Sequence, residues 1–295
     1  MGSSDLMPAP FSPPPRLRRY SPKGGEIQTP LWAAVALATV LFAGRAMAEE
    51  LRPLCPDRPS KGTSACTVDA GHIQVEADLA DLTHDASRGV ATDAWAFASP
   101  TLKLGVTDSF DIEANLAPYV LIRTHDRISG ARASQSGIGD LFLRAKLNLA
   151  GNAGGALGLA LEAWIKAPTG PLGVGDGAWE GGLLAPISYN LPKGWSLGVT
   201  PEADVIANGS GSGRHLALAL PVGLGHAVGP VAATLELWTN QDFDPAGTTR
   251  QYSLDFAAAW QPPRQSNLQL DGGVNLGLNS ATPDVQVYVG VARRF

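Results

Sequence analysis

The sequence is short of charge. Lys, Arg, Asp and Glu together make up 17% of its 295 residues, with a balance of −5. A nucleic-acid-binding surface needs a basic excess, so nucleic acid is set aside as a partner. Long apolar runs are also missing. Beyond residue 48 none reaches the ~18 residues that a membrane helix requires. Cysteine is almost absent, and Cys55 and Cys66 have no neighbouring ligands in a metal-binding pattern. The five histidines show no spacing to a serine that resembles an acyl-transfer site. No catalytic residue, metal or cofactor is therefore expected. Glycine is plentiful, at 34 residues, against a usual share of about 7%.

The first 48 residues stand apart. Arg16, Arg18, Arg19 and Lys23 lie in a Pro-rich basic leader. A short apolar core, Leu31 to Ala43, then leads to Ala46-Met-Ala48. A charged region, an apolar core and an A-x-A site form the pattern of a secretory signal, cut before Glu49. An exported chain meets an oxidising compartment, so Cys55 and Cys66 are expected to pair. Residues 49–70 form a periplasmic N-terminal segment, either folded into the body of the protein or hanging free.

From residue 71 onward the pattern has a period of two, which is that of a strand. The last stretch is the clearest. Val285, Val287, Val289 and Val291 share one face, opposite Gln286, Tyr288, Gly290 and Ala292, and the chain ends on Phe295. About twelve such strands succeed one another, each near the 9–11 residues of a tilted membrane strand. The polar stretches 83–93, 123–138, 168–178 and 241–250 read as long connections. Those at 107–109, 150–155, 190–194 and 229–230 are short. Long and short turns alternate, as in an outer-membrane barrel with both termini in the periplasm. By parity Phe110, Tyr189, Trp195, Trp260 and Phe295 point outward at the periplasmic ends, as an interfacial girdle would. The expected fold is all-β, a transmembrane antiparallel up-and-down barrel of about 12 strands over 71–295. A soluble sandwich shares the alternation but not the signal, the terminal Phe, the girdle or the turn pattern.

Three stretches carry a family resemblance. They are Asp57-Arg-Pro-Ser60 with Cys66 to Glu76, Gly137-Ile-Gly-Asp-Leu-Phe-Leu-Arg-Ala-Lys146, and Ile165-Lys-Ala-Pro-Thr-Gly170 with the glycines before Trp179-Glu180. Together they resemble the outer-membrane transporter family associated with the meta-cleavage pathway of phenol degradation. The resemblance covers most of the chain after the signal. It implies a Gram-negative outer-membrane location and a transport role, and it carries over no catalytic residue.

The inward row is then the functional row. Its rings are Trp95, Phe97, Tyr119, Phe142, Trp164, Trp238 and Tyr288, mostly toward the outer end, and they suit a small aromatic or hydrophobic solute. The other reading is that they pack against inward-folded chain. Acids outnumber bases along the same row. Glu76, Glu113, Glu162, Glu202, Glu236 and Asp255 face Arg144, Lys146 and Lys166. This gives either an ion-pair network that fills the lumen or a cation-preferring path. The expected function is a channel or transporter for small solutes, with a closed structural or adhesive barrel, or an outer-membrane enzyme, as alternatives. Outer-membrane lipid and lipopolysaccharide, the barrel-assembly machinery (reading Phe295) and a small-molecule solute are the expected partners.

Overall fold

The structure, a computed structural model, describes residues 51–87 and 89–295. The expected leader and signal, 1–48, lie outside the described residues. The strands are β1 (Ile73–Ser87), β2 (Val90–Thr107), β3 (Phe110–Leu116), β4 (Tyr119–Asp126), β5 (Arg132–Gly137), β6 (Leu141–Ala150), β7 (Leu157–Ala167) and β8 (Glu180–Leu184). They continue as β9 (Ile187–Asn190), β10 (Trp195–Val199), β11 (Glu202–Ala207), β12 (Arg214–Val228), β13 (Val231–Asp242), β14 (Thr249–Trp260), β15 (Leu268–Gly277) and β16 (Val285–Arg294).

Every pairing among the strands is antiparallel, and β1 pairs with both β2 and β16, so the sheet closes on itself. Four pairs of segments (β3 with β4, β5 with β6, β8 with β9, β10 with β11) are each one stave with a break in it. The barrel thus has twelve staves. Proline explains three of the breaks, at Pro118, Pro186 and Pro201, because it has no N–H to give the ladder. Proline carbonyls still accept. Ala160 N–H bonds to Pro186 O at 3.0 Å, Ala185 N–H to Pro201 O at 3.0 Å and Thr200 N–H to Pro221 O at 3.1 Å. The ladder therefore passes the broken positions. Pro100 and Pro221 sit inside unbroken β2 and β12.

Burial is inverted relative to a soluble protein. Lys146 and Asp111 are 0% exposed, whereas Leu161 is 50% and Leu143 46% exposed. A water-facing wall with this many bare leucines would aggregate, while a lipid-facing one requires them. This inversion settles the choice between a soluble sandwich and a membrane barrel. Tyr189, Trp195, Trp260 and Phe295 are exposed at the end that carries Arg52 and the C-terminus, where the girdle was expected.

Two expected loops are strands. Residues 83–93 extend β1 and β2 and meet at a tight turn, and 123–138 form the β4–β5 hairpin. Alternation weakened there because the strands have left the apolar layer, not because they end.

A second departure affects side-chain direction. A belt of irregularities crosses four neighbouring staves at Leu79, Ala98, Ala117-Pro118 and Ile138 to Asp140. Ala98 has φ 48°, a backbone that non-glycine residues rarely adopt. Each irregularity shifts the inward face by one residue, as a bulge does. On β1, Gln74, Glu76 and Asp78 point inward below the belt, but Asp81 does so above it. On β2, Ser99, Thr101 and Lys103 are buried below, and Ala96 above.

Candidate functional site: the lumen and its stopper

Residues 52–70 fill the lower lumen. They enter from the terminal-bearing end, reach the middle of the barrel at Pro59 to Lys61, and return. Their neck is closed by the Cys55–Cys66 disulfide. At the entrance Arg52 pairs with Asp69 at 2.5 Å, and Arg294 holds the same Asp69 at 2.6 Å. Val68 N–H donates to Asp111, and Asn148 donates to Ala65 O. The segment is therefore inside the barrel rather than in the periplasm. Its polar backbone finds partners there, as any buried backbone must.

Charge explains why it fits. From β1 to β7 the wall carries bases, Lys103, Arg144 and Lys146, among the acids Glu76, Glu113 and Glu162. Asp57 of the stopper sits between the two lysines. It accepts from Lys146 at 2.7 Å and from Lys103. Lys103 also meets Glu76 at 2.8 Å, Lys146 meets Glu162 at 3.2 Å, and Arg144 meets Glu162 at 3.2 Å. From β1 the other way round the barrel, through β15 to β13, the wall offers mainly acids, and here the stopper supplies the bases. Arg58 bridges Asp78 at 2.6 Å and Asp271 at 2.8 Å. Lys61 reaches Asp255 at 3.1 Å and donates to Ser253 at 2.6 Å. The Lys61 and Gly62 amides donate to the Glu236 carboxylate at 3.0 and 3.1 Å. Buried charges are tolerated only when paired in this way.

Shape matches as well. Arg58 lies against Gly290, where a Cβ would overlap its guanidinium. Tyr288 donates its hydroxyl to Pro59 O at 2.6 Å, and the Lys61 ammonium sits 4.3 Å from the centre of the Trp238 ring.

Above the stopper the lumen differs. Phe142 and Trp164 lie with ring centres 5.8 Å apart, and the Arg144 guanidinium is 5.6 Å from the Phe142 ring. Trp164 donates its indole N–H to Glu202 at 3.1 Å. Its indole covers Gly182, where a Cβ would come within 2.6 Å of the ring nitrogen. Lys166 ties Glu180 at 2.7 Å and also Asp176, pinning the 168–179 loop to the wall.

The expected site residues divide into groups. Phe142, Trp164, Trp238 and Tyr288 face inward, and the last two pack on the stopper. Trp95, Phe97 and Tyr119 face outward, contrary to expectation, because they lie above the belt that shifts the face. Directly paired residues share a face, so Phe97 with Tyr119 and Trp95 with Leu121 stand opposite to inward Ala96. They form a cluster, with Trp95 and Phe97 stacked at 6.0 Å between centres and Tyr119 tilted against Phe97 at 6.3 Å. Glu76, Glu113, Arg144, Lys146 and Glu162 form one network, Glu236 and Asp255 hold the stopper, and Glu202 holds Trp164. The sequence reading missed Asp57, Arg58 and Lys61. The excess of inward acids on the strands was the signal that counter-charges had to come from elsewhere in the chain.

The family described as "Putative MetA-pathway of phenol degradation" matches residues 56–295. The chain belongs to this family. No curated protein sequence matches it significantly. Among solved structures it is similar to the COG4313 outer membrane channel from Pseudomonas putida F1, at 17% identity. That match covers 81% of this chain and 99% of the other, with a TM-score of 0.61. Looser similarity links it to the transport unit of the autotransporter AIDA-I from Escherichia coli (10% identity, 75% and 89% covered, TM-score 0.49). The CymD monoaromatic hydrocarbon channel is looser again (11% identity, 77% and 88% covered, TM-score 0.39). At 17% identity the first likeness is one of fold, an outer-membrane β-barrel. The belt, the stopper and the Phe142–Trp164 pair are therefore read from this family member's own residues.

Proposed function

We propose that the protein is an outer-membrane channel for small aromatic or hydrophobic solutes, closed at rest by residues 52–70. The observation that carries this reading is the Phe142–Trp164 pair, which faces the lumen directly above a polar stopper. An apolar solute entering from outside would meet two ring faces before it meets charge, and stacking favours it over a sugar. Passage then requires the stopper to move. Membership of a family named for phenol degradation supports the solute class. The mainly acidic upper wall, with Glu202 beside Trp164, disfavours anions.

On this reading the chain is a conduit rather than an enzyme. It is exported by the signal that ends at Ala48, and Phe295 is read by the barrel-assembly machinery. A permanently shut structural barrel is the competing reading, favoured by the complete pairing of the stopper. The test is uptake into liposomes that carry refolded protein, comparing a phenol, a small sugar and a charged amino acid. Preferred entry of the phenol, reduced by about tenfold in Trp164→Ala, supports the channel. Equal entry of all three would make it a general pore, and no entry by folded protein would leave the shut barrel.

A further inference from the structure

Above the belt, the outward face of β1, β2, β4 and β5 can be followed row by row toward the outer end. Ala80, Phe97 and Tyr119 form the first row, and Leu82, Trp95 and Leu121 the second. The third is His84, Asp93, Arg123 and Ser134, and the fourth Ala86, Ala91, His125 and Arg132. Successive rows lie about 7 Å apart along the strands. The face thus passes from aromatic and apolar to charged within one row. Aromatic residues mark the edge of the hydrocarbon layer, so the third row stands at headgroup level.

That row and the next carry Arg123, His125 and Arg132. His125 and Arg132 are directly opposite each other, and Arg123 is on the same face two residues away. Such neighbours have Cβ atoms about 5–8 Å apart. The one acid among them, Asp93, is taken up by His84, whose Nδ1 lies 2.6 Å from it. Among the described residues no carboxylate lies within ion-pairing distance of Arg123 or Arg132. The same side chains line an open hollow of about 450 Å³ on the outer wall. The lysines and arginines of the lumen each meet a carboxylate, so unmatched arginines on the lipid side call for a ligand from outside the protein.

We propose that Arg123, His125 and Arg132 bind the phosphorylated headgroup of an outer-leaflet glycolipid, with the Trp95–Phe97–Tyr119 cluster against its acyl chains. Two guanidiniums present planar donors matched to phosphate oxygens, and the rings below offer an apolar contact to the same molecule. The proposal rests on the outer-membrane placement of the barrel and not on what passes through it.

The experiment uses refolded full-length protein in detergent micelles. The probe is lipid A bearing both phosphates, with chemically dephosphorylated lipid A as its control, and retained lipid is read by native mass spectrometry. Wild type should hold the bisphosphorylated lipid at least about tenfold more tightly than the dephosphorylated one. The double variant Arg123→Gln, Arg132→Gln should lose that preference, while Arg264→Gln in the 261–267 turn at the opposite end keeps it. Heat-modifiable gel migration confirms that each variant is folded. Equal binding of both lipids by wild type, or an undiminished preference in the double variant, would overturn the proposal. So would displacement of the lipid by millimolar inorganic phosphate, which would mark a site for the free anion. Liposome uptake by the double variant should match wild type. Cell fractionation reports separately on the membrane placement.

Discussion

Arg58 is the most informative position to perturb. Its side chain is 4% exposed and lies between the carboxylates of Asp78, 9% exposed, and Asp271, 0% exposed. Arg58→Ala leaves two acids facing an empty, dry space. Removing one partner of a buried pair costs about 3–5 kcal/mol, because the charge left behind has neither water nor a counterion. The cost falls on the closed arrangement alone, since both acids regain water once the stopper leaves. At about 1.4 kcal/mol per decade, the ratio of open to closed barrels should rise roughly 10²- to 4 × 10³-fold. Single-channel recording in planar bilayers reads this as open probability. Hydrogen exchange at residues 56–64 should accelerate in parallel. A companion variant separates charge from packing. Arg58→Met combined with Asp78→Asn and Asp271→Asn removes the whole triad, and should recover most of the closed population. An Arg58→Ala protein with wild-type open probability and wild-type exchange would refute the view that this triad holds the lumen shut.

Gly290→Val places a side chain where the Arg58 guanidinium lies. It should open the channel as Arg58→Ala does while leaving the barrel folded, and a closed, fully protected stopper would count against the fit described here. Replacing Cys55 and Cys66 with Ser frees a loop of 11-residue separation. Chain entropy puts the loss at about 3 kcal/mol of stopper stability, which should appear as faster exchange at 56–64 and not as a lower unfolding temperature of the barrel. Removing Phe295 should lower the amount of barrel assembled in cells without changing the conductance of protein refolded from denaturant, and unchanged assembly would remove its assigned role.

The twelve staves, their direction and the lower half of each face were legible because lipid outside and charge inside impose a strict period of two. Gln74, Glu76, Asp111, Glu113, Lys103 and Lys146 all lie where alternation places them. Alternation misplaces the upper halves of two staves, at Trp95, Phe97 and Tyr119, and the cause is local. Pro118 and Gly139 could have signalled two irregularities, but Leu79 and Ala98 are unremarkable residues at the other two. A positive φ at an alanine has no sequence signature. The stopper was half legible. Its motif, Asp57-Arg-Pro-Ser60, is one of the stretches that carry the family resemblance, and the acid excess at Asp78, Glu236, Asp255 and Asp271 requires cations from elsewhere in the chain. What the sequence could not show was depth, because a segment of about 20 residues with two cysteines reads the same whether it hangs free or threads a lumen.

Arg58 touches Asp78 on β1 and Asp271 on β15, and Tyr288 on β16 meets Pro59. The stopper therefore spans the seam where the first and last strands of the barrel join. Several of its contacts link residues more than 200 positions apart, so they cannot exist until the final strand has arrived. A segment that lies near the start of the chain must wait, unpaired, for the end. Closure of the wall and seating of the stopper then become a single late event. The molecule carries its own check on completion: a barrel missing its last strands lacks the Asp271 and Tyr288 contacts that seat Arg58 and Pro59, and its stopper is held on one side only until the wall is whole.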